Sequence, residues 1–426
     1  MDIWTAALPA FAALTVSLAG CLVIVSTRGQ HLHKTARRSL VGSVQTMHAD
    51  PAPQIGGLAL IAGLVAGLLV LRHNPTSDSE AARLVLIALV AGFPILLTGM
   101  MEDVGKGARP ALRLFAALAA SALAMELTET RLLHGGFPGG DALLAFTPFA
   151  VAFTIFATAG ATHAFNLVDG VHGFAIGTAM VIAGALAAIA GWAGDALMLA
   201  VALLTTAALL GVLVFNFPRG HVFLGDTGAY GIGHFLSWTA IILLWRNPEV
   251  SPWAMLLVFF WPILETLFSM GRRIVTRRPF GQPDKLHFHH IVLRLIESRW
   301  IGRSRRHVVN PLTAVVLLPV VALIAGLGVW AMTSTALAFL LLGTVSVAYA
   351  LAYVGLHRIQ RSKPGSAALG RAGLASRGSR RGGPAHGRRR LDANADRTLA
   401  SGVPDAPADQ RCAETDTPDR DRIAAE

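Results

Sequence analysis

Polar segments suited to holding a metal ion or a phosphate interrupt an otherwise apolar chain of 426 residues. Glu102 and Asp103 stand together directly after a long apolar run. Adjacent carboxylates at the end of an apolar helix are costly unless a cation or a proton relieves their repulsion. The pair therefore predicts a proton acceptor or part of a divalent-metal site, and a solvated helix end is the plain alternative.

A second carboxylate motif, Phe-Leu-Gly-Asp-Thr-Gly-Ala, contains Phe223 and Asp226. Glycines on both sides leave the Asp226 carboxylate little steric cover, and the amides at the start of a helix favour an anion. Phe223, three residues earlier, is suited to stacking on a base. A further motif, Asn-Leu-Val-Asp-Gly-Val-His-Gly, places Asn166 and Asp169 after another apolar run, where their side chains suit a metal, a ribose or a base.

Two other motifs contain histidine. One of them holds His287, His289 and His290 inside a long basic loop, and this concentration of basic groups suits a polyanion such as a pyrophosphate. A zinc site would lack cysteines and a tetrahedral spacing, and a basic loop lying on the membrane is the plain alternative. The other motif, His-Ala-Asp-Pro-Ala-Pro-Gln-Ile-Gly-Gly from His48, predicts a rigid helix start that a backbone or a ligand approaches closely.

The elements that position these motifs are predicted to be membrane-spanning helices. Hydrophobic residues make up 54% of the chain and charged residues 14%, against about 25% charged in soluble domains, so a soluble protein is excluded. We count eleven apolar runs of the length that a bilayer requires, and in lipid such runs must be helices. The predicted fold is therefore all-α and polytopic. The runs are 3–25, 55–71, 82–101, 111–127, 142–159, 174–191, 196–215, 229–245, 252–270, 312–330 and 333–356.

Charge between the apolar runs predicts how the helices are oriented. Segments 26–54 and 271–309 are rich in arginine and lysine, whereas the loops at the opposite ends hold few positive charges and several acids. By the positive-inside rule the basic side is cytoplasmic, with the N-terminus outside and the C-terminus inside. All five motifs fall on the cytoplasmic side, which predicts a single site at that boundary.

A change of composition near residue 357 divides the chain into a transmembrane part, 1–356, and a tail, 357–426. The tail is rich in Gly, Ala, Pro, Ser and Arg and has almost no large apolar residues, so we expect it to be disordered. The formal charge of +11 does not indicate nucleic acid, because the basic residues lie in loops and in this tail. The expected partner of the helices is the lipid bilayer.

The five motifs, in this order, resemble those of the polyprenyl-phosphate N-acetylhexosamine-1-phosphate transferases, the polytopic family that includes the MraY and WecA enzymes. The resemblance runs from about His48 to Arg294 and rests on HADPAPQIGG, EDVGK, NLVDGVHG, FLGDTGA and HFHH. It implies transfer of a HexNAc-1-phosphate from a UDP-sugar to a polyprenyl phosphate such as undecaprenyl phosphate, with release of UMP. The setting it implies is cell-envelope polysaccharide synthesis at the bacterial cytoplasmic membrane.

The resemblance also implies roles for particular residues. Asp226 and Asn166 would hold Mg²⁺, with Mn²⁺ as a substitute, and Asp103 with Glu102 would orient or deprotonate the lipid phosphate. The substrate-binding residues would be His48, Lys106, Asp169, Phe223, His287, His289 and His290. Lys106 and the three histidines of the 287–290 motif would neutralise phosphate charge, and Phe223 with Asp169 would hold the uridine. A homodimer is left open.

Two positions depart from the family pattern. Glu102 replaces the commoner aspartate, which keeps the carboxylate and lengthens its reach. His172 replaces the second aspartate of the Asn166 motif and inverts the charge available there. The spacing His-x-His-His differs from the continuous histidine run of the peptidoglycan-precursor enzymes and favours the branch that makes other surface polysaccharides.

A secondary transporter of an anionic or lipid-linked solute is the alternative function. Such a protein uses ionisable groups near the middle of the membrane, and Glu265 and His234 both lie within predicted helices. The polar motifs gather instead at one boundary of the membrane. We therefore expect Glu265 and His234 to be packing groups or to line a groove.

Overall fold

The computed structural model describes residues 3–29, 52–73, 79–277 and 286–361. His48 and the tail beyond residue 361 lie outside these ranges, so their roles stay predictions from the sequence. Helices and no strands are found in the described part, as the sequence predicts. The α-helices are α1 (Ile3–Ser26), α2 (Gly56–His73), α3 (Ser79–Asp103), α4 (Pro110–Thr128), α5 (Gly140–Ala145), α6 (Thr147–Val168), α7 (Phe174–Trp192), α8 (Ala196–Asn216), α9 (Gly225–Arg246), α10 (Pro252–Val258), α11 (Phe260–Val275), α12 (Phe288–Ile296), α13 (Arg306–Trp330) and α14 (Thr335–Arg361).

Membrane-spanning helices make up most of this structure. In the described ranges ten helices are long and apolar enough to cross a membrane, and the bent pair α10–α11 makes eleven if it is one span. The protein is therefore a multi-pass membrane protein. The last helix of the described part, α14, runs to Arg361 and so continues past the predicted start of the tail at residue 357.

The contacts of α14 show that the pair α10–α11 connects two opposite sides of the bundle. The Ser251 amide, just before α10, donates to the Met332 carbonyl (2.7 Å), close to the beginning of α14. Beyond α11, the Leu286 carbonyl accepts a hydrogen bond from the Tyr353 hydroxyl (2.9 Å), near the other end of α14. The helical rise between Thr335 and Tyr353 is about 27 Å, so the pair crosses the bundle as one broken span.

The ninth predicted span, 252–270, is wrong as a continuous helix. α10 and α11 meet at Phe259 with an angle of 83° between them. Pro262 has no amide hydrogen to donate to the carbonyl of Val258, so an unbroken helix would lose a hydrogen bond there. The chain bends instead, and the bend opens space between the two helices.

The fifth predicted span, 142–159, is wrong in its bounds. The chain forms the short helix α5, is extended at Phe146 and begins α6 at Thr147. Pro148 stands in the first turn of α6, where its fixed backbone angle and missing amide favour a helix start. α6 then continues to Val168, so Asn166 lies in the last turn of a helix and not in a loop.

α9 lies at the centre of the bundle and is buried along most of its length. It begins at Gly225, four residues before the predicted run, so Asp226 lies in its first turn. Two neighbouring helices approach this end of α9 closely. A Cβ on Gly99 of α3 would lie 2.6 Å from the Thr227 Cα, and a Cβ on Gly57 of α2 would overlap the α9 backbone. Glycine is therefore required where these helices touch.

Candidate active site

Asp103, the last residue of α3, holds the first turn of α9. Its Oδ1 accepts a hydrogen bond from the Asp226 amide (2.8 Å), and its Oδ2 accepts one from the Thr227 amide (2.9 Å). The first amides of a helix lack partners within the helix and carry a partial positive charge, so a carboxylate stabilises them. Leu224, which precedes α9, provides no side-chain cap. Asp103 thus caps α9 from another helix.

The described part of the His48 motif, residues 52–57, binds the backbone that leads into α9. The Phe223 amide donates to the Pro53 carbonyl (2.9 Å), and the Gly56 amide donates to the Phe223 carbonyl (2.8 Å). The rigid helix start predicted from the prolines and glycines is therefore present. In the described residues its partner is the backbone of the Asp226 motif.

Two side chains approach the partly exposed carboxylate of Asp226. Asn166, in the last turn of α6, donates from Nδ2 to the Asp226 Oδ1 (3.0 Å). Arg113, in the first turn of α4, places Nη1 3.4 Å from the Asp226 Oδ2. The two predicted metal ligands therefore lie together where α4, α6 and α9 meet.

Arg113 also links the carboxylate pair to Asp226. Its Nη1 lies 3.7 Å from the Glu102 Oε1, and the Glu102 Oε2 accepts a hydrogen bond from the Ala108 amide (2.9 Å). Glu102 thereby fixes the loop between α3 and α4. Arg113 has no role among the residues predicted from the sequence. The sequence could have indicated a role for Arg113, because an arginine one turn inside an apolar helix is costly unless it meets an acid.

Asp169 begins the loop after α6 and interacts electrostatically with two other acids, Asp226 and Asp103. Burial, and then the charges of Asp226 and Asp103, raise the pKa of Asp169 to about 7. Neighbouring carboxylates that oppose one another's ionisation favour either a bound cation or protonation of one of them. The electrostatics of this cluster therefore fit a cation-binding role.

Oxygen ligands suitable for magnesium are present in the same cluster. Asp226 supplies a partly exposed carboxylate and Asn166 an amide group beside it. Among the described residues no group of three or more His, Cys, Asp or Glu side chains forms a complete metal cage. Magnesium in phosphate-transfer sites commonly takes one or two carboxylates and completes its shell with substrate phosphates and water. The residues fit an ion of this kind.

His172, a departure from the family pattern, joins three segments of the site. Its amide donates to the Asn310 Oδ1 of α13 (2.7 Å), and its Nδ1 lies 3.0 Å from the Pro218 carbonyl. Its ring packs against Phe223, with centroids 5.3 Å apart. Phe223 is 5% exposed, so in this conformation its ring offers little free surface to a base. Burial lowers the pKa of His172, which is therefore neutral at physiological pH.

The histidine motif, residues 287–290, is anchored to Glu265 of α11. The Glu265 Oε1 accepts a hydrogen bond from the Phe288 amide (2.8 Å) and lies 3.1 Å from the His287 Nδ1. The Glu265 Oε2 accepts a hydrogen bond from the Tyr349 hydroxyl of α14 (2.8 Å). Because Glu265 is buried, these partners offset the cost of removing its carboxylate from water.

His289 is fully buried beside Phe174 and its own neighbours. Its ring centroid lies 5.6 Å from that of Phe174 and 4.2 Å from that of His290. In the part of the chain that the structure describes, neither ring nitrogen of His289 has a hydrogen-bond partner. Burial, together with the charges of His290, His287 and Arg294, lowers the pKa of His289 well below its usual range. His289 would therefore offer a phosphate a hydrogen bond and not a positive charge.

The described parts of the five motifs meet at one end of the bundle. Asp103 and Asn166 both contact Asp226. The Asn166 motif also reaches the histidine motif, because a Cβ on Gly170 would lie 3.4 Å from the His290 Nε2. Convergence of widely separated residues at one boundary is what the sequence led us to expect.

Lys106, a predicted substrate-binding residue, takes no part in the contacts described above. Lys106 is exposed in the loop between α3 and α4. His48 lies outside the described residues. The roles given to both remain predictions.

The two ionisable groups that a transporter would use are both packed inside the bundle. Glu265 anchors the histidine motif from within α11. His234 of α9 is 2% exposed, and a Cβ on Gly92 would lie 3.1 Å from its ring. Both placements agree with the packing role expected for these residues.

An apolar cavity of about 250 Å³ lies at the bend between α10 and α11. α6 and α9, the helices that carry Asn166 and Asp226, form part of its wall, and Phe153 on the outer surface of the bundle borders it. Ala161 lines the cavity five residues before Asn166, which is about 7.5 Å along the axis of α6. On α9 the lining begins at Ser237, about 16.5 Å along the axis from Asp226, so most of the cavity lies in the half of the bundle away from the polar cluster.

Comparison with known proteins gives the same family as the motifs. The family model described as Glycosyl transferase family 4 matches residues 85–244. The chain is 30% identical over 287 residues to "Decaprenyl-phosphate N-acetylglucosaminephosphotransferase" of Mycobacterium tuberculosis, which covers 62% of this chain and 69% of the relative.

Two further relatives have related descriptions. "Probable undecaprenyl-phosphate N-acetylglucosaminyl 1-phosphate transferase" of Bacillus subtilis is 28% identical over 254 residues, covering 58% of this chain and 67% of the relative. "Undecaprenyl-phosphate alpha-N-acetylglucosaminyl 1-phosphate transferase" of Salmonella typhi is 26% identical over 256 residues, covering 58% of this chain and 66% of the relative. The chain belongs to glycosyl transferase family 4, and it is a membrane-embedded transferase of that family.

Proposed function

We propose that this protein transfers a HexNAc-1-phosphate from a UDP-sugar to a polyprenyl phosphate such as undecaprenyl phosphate, with release of UMP. The observation that carries the proposal is the cluster of Asp103, Arg113, Asn166 and Asp226 at the ends of membrane helices. This position is open to a water-soluble donor and to a lipid acceptor. The names of the relatives describe N-acetylglucosamine-phosphate transfer to polyprenyl phosphates, which supports the same reaction here.

The proposed reaction exchanges one phosphoanhydride (P–O–P) bond for another. An oxygen of the lipid phosphate attacks the sugar-linked phosphorus of the donor, and the bond from that phosphorus to the bridging oxygen breaks. UMP leaves with the bonding electron pair. Both substrates are anions, so cationic groups must offset their repulsion before in-line attack. Arg113 is placed for this task, since its Nη1 already lies 3.4 Å from the Asp226 Oδ2 and 3.7 Å from the Glu102 Oε1.

Asp226 and Asn166 are the residues that would hold Mg²⁺, with Mn²⁺ as a substitute. When bound, such an ion neutralises charge on the diphosphate that is being split. The chain's own residues bind and orient the substrates around it. The substrate-binding set is His48, Lys106, Asp169, Phe223, His287, His289 and His290, as the family resemblance implies.

Direct displacement is the form of the reaction that we favour. The alternative is a covalent intermediate in which a carboxylate such as Asp226 first takes the phosphosugar. Incubation of the protein with donor alone, followed by mass spectrometry of the intact chain, separates the two. A phosphosugar adduct on the protein would overturn the single-step reaction.

The apolar cavity is the proposed site for part of the acceptor's polyprenyl chain. Its start lies about 7.5 Å from Asn166 along α6, a distance that a few lipid carbons span. Its border at Phe153, 43% exposed on the bundle surface, would let a lipid chain enter sideways from the bilayer. The phosphate would then remain at the polar boundary beside Arg113.

We further propose that the protein lies in the bacterial cytoplasmic membrane with the active site and C-terminus inside and the N-terminus outside. The charge of the loops supports this orientation. Single cysteines in a cysteine-free background, labelled from outside intact cells, test it. Labelling at Lys106→Cys but not at Trp192→Cys would reverse the proposed orientation.

The decisive experiment is a donor panel. Purified protein is incubated with polyprenyl phosphate, Mg²⁺ and each of several UDP-HexNAc sugars, and UMP and the lipid-linked sugar are measured. We expect equal amounts of both products with at least one donor, and neither product from Asp226→Asn, which keeps the side-chain size and removes its charge. Absence of UMP with every donor would refute transfer from a UDP-HexNAc.

A further inference from the structure

The first turn of α9 is built to receive a carboxylate from α3. Gly225, the first residue of α9, has a φ of +71°, and a Cβ there would lie 2.8 Å from both oxygens of Asp103. The same Cβ would overlap the Gln54 carbonyl. A residue other than glycine would therefore displace the carboxylate from the amides of Asp226 and Thr227.

Both oxygens of Asp103 are engaged in holding this turn. Oδ1 meets the Asp226 amide and Oδ2 meets the Thr227 amide, at 2.8 and 2.9 Å. Bonds between a carboxylate and helix amides are charge-assisted and stronger than neutral ones. A proton taken by Asp103 during the reaction would weaken the bonds that hold the segment carrying Asp226.

We propose that Asp103 is a positioning residue that fixes the first turn of α9, so that Asp226 presents its carboxylate to the metal and to Arg113. On this view Asp103 does not accept the proton of the lipid phosphate. The expected effects on turnover rest on the proposed function. The structural part concerns α9 alone and is testable without any substrate.

The variant Asp103→Asn separates positioning from proton transfer. Its amide oxygen still accepts one backbone hydrogen bond, but its NH₂ group faces the second backbone amide, which is also a donor. We expect faster hydrogen exchange of the peptide that contains residues 224–228, measured by mass spectrometry without metal or substrate. Unchanged exchange in this peptide would overturn the proposal.

Metal binding gives the second measurement. Loss of a residue that orients a metal ligand typically weakens metal affinity by roughly 10–100-fold, and we expect a shift of this size for Mn²⁺ followed by electron paramagnetic resonance. The pH dependence of kcat should keep its shape, because the proton acceptor is unaltered. Mn²⁺ affinity equal to wild type, with loss of one limb of the pH profile, would instead identify Asp103 as the base.

Two further variants keep the test decisive. Glu102→Gln alters the adjacent carboxylate, which bonds the Ala108 amide and reaches Asp226 only through Arg113, while both Asp103 bonds to the first turn of α9 remain. Exchange of residues 224–228 should therefore rise far less than in Asp103→Asn. Asp103→Glu keeps both acceptor oxygens and should restore part of the protection if Asp103→Asn fails to fold. If residues 224–228 exchange rapidly in both Asp103→Glu and wild type, the proposal is overturned. If wild type releases no UMP, only the proposed function is overturned.

Discussion

Removal of the Tyr349 hydroxyl is expected to loosen the histidine motif without altering any histidine. The hydroxyl donates to the Glu265 Oε2 (2.8 Å) inside the bundle, while the Glu265 Oε1 holds His287 and the Phe288 amide. A hydrogen bond to a charged group contributes about 1.5–3 kcal/mol. Tyr349→Phe removes one such bond and leaves the packing of the ring in place.

The size of the functional effect follows from that bond energy. Each 1.4 kcal/mol corresponds to about a tenfold change in an equilibrium, so the full loss would weaken donor binding by roughly 10–150-fold. The Glu265 Oε1 still contacts the His287 Nδ1 and the Phe288 amide, so the histidine motif keeps part of its position. We therefore expect a rise of about tenfold in KM for the UDP-sugar, with a smaller change in kcat.

Steady-state UMP release as a function of UDP-sugar concentration measures this effect, and thermal unfolding in detergent reports stability. The matched control is Thr344→Val, which also removes one hydroxyl from α14. The Thr344 hydroxyl is exposed and donates to the Leu340 carbonyl of its own helix, so the control should behave as wild type. If Tyr349→Phe has the KM of wild type but a lower melting temperature, Glu265 stabilises the fold without positioning the histidine motif for substrate.

Three further outcomes are expected. Asp226→Ala should abolish metal-dependent UMP release with membrane insertion unchanged, and near-normal turnover would remove Asp226 from the metal site. Ala161→Phe fills part of the 250 Å³ cavity and should raise KM several-fold for the polyprenyl acceptor but not for the donor; equal shifts in both would argue against a lipid chain there. A chain that ends after Gln360 should keep most of its activity in detergent, and a folded but inactive protein would show that the tail has a role.

The number of spans was predictable, but their bounds were less so. Run length predicts a membrane helix because lipid leaves the backbone no other partners. Asn166 and Asp226 lay beyond the predicted runs, yet α6 and α9 include them. Helical hydrogen bonding depends on the backbone, so a polar side chain at the end of a span does not end the helix. The break at Phe259 needed a different signal, namely Pro262.

The residue types of the site were also predictable, whereas most of their partners were not. Glu265 was expected to pack, but nothing near it in sequence indicates Tyr349, which lies 84 positions further on. Arg113 follows the Glu102 motif in the sequence, but its contact with Asp226 was not predicted and it was given no role. A single sequence indicates which groups are costly to bury. It does not indicate which distant groups offset that cost, because this depends on how the helices pack.

The polar motifs of this protein contain more acids and amides than the chemistry alone requires, and the structure gives a physical reason. Loops that end membrane helices must satisfy their own backbone groups where water is scarce. Asp103 and Glu102 accept backbone amides, and Asn216 bonds both the Gly173 amide (2.6 Å) and the Val222 carbonyl (2.8 Å). Acids in the Glu102 motif and an amide beside the motifs, Asn216, therefore hold the site together. We expect substrate to meet Asp226 and Arg113, whose side chains pair with each other and are partly exposed.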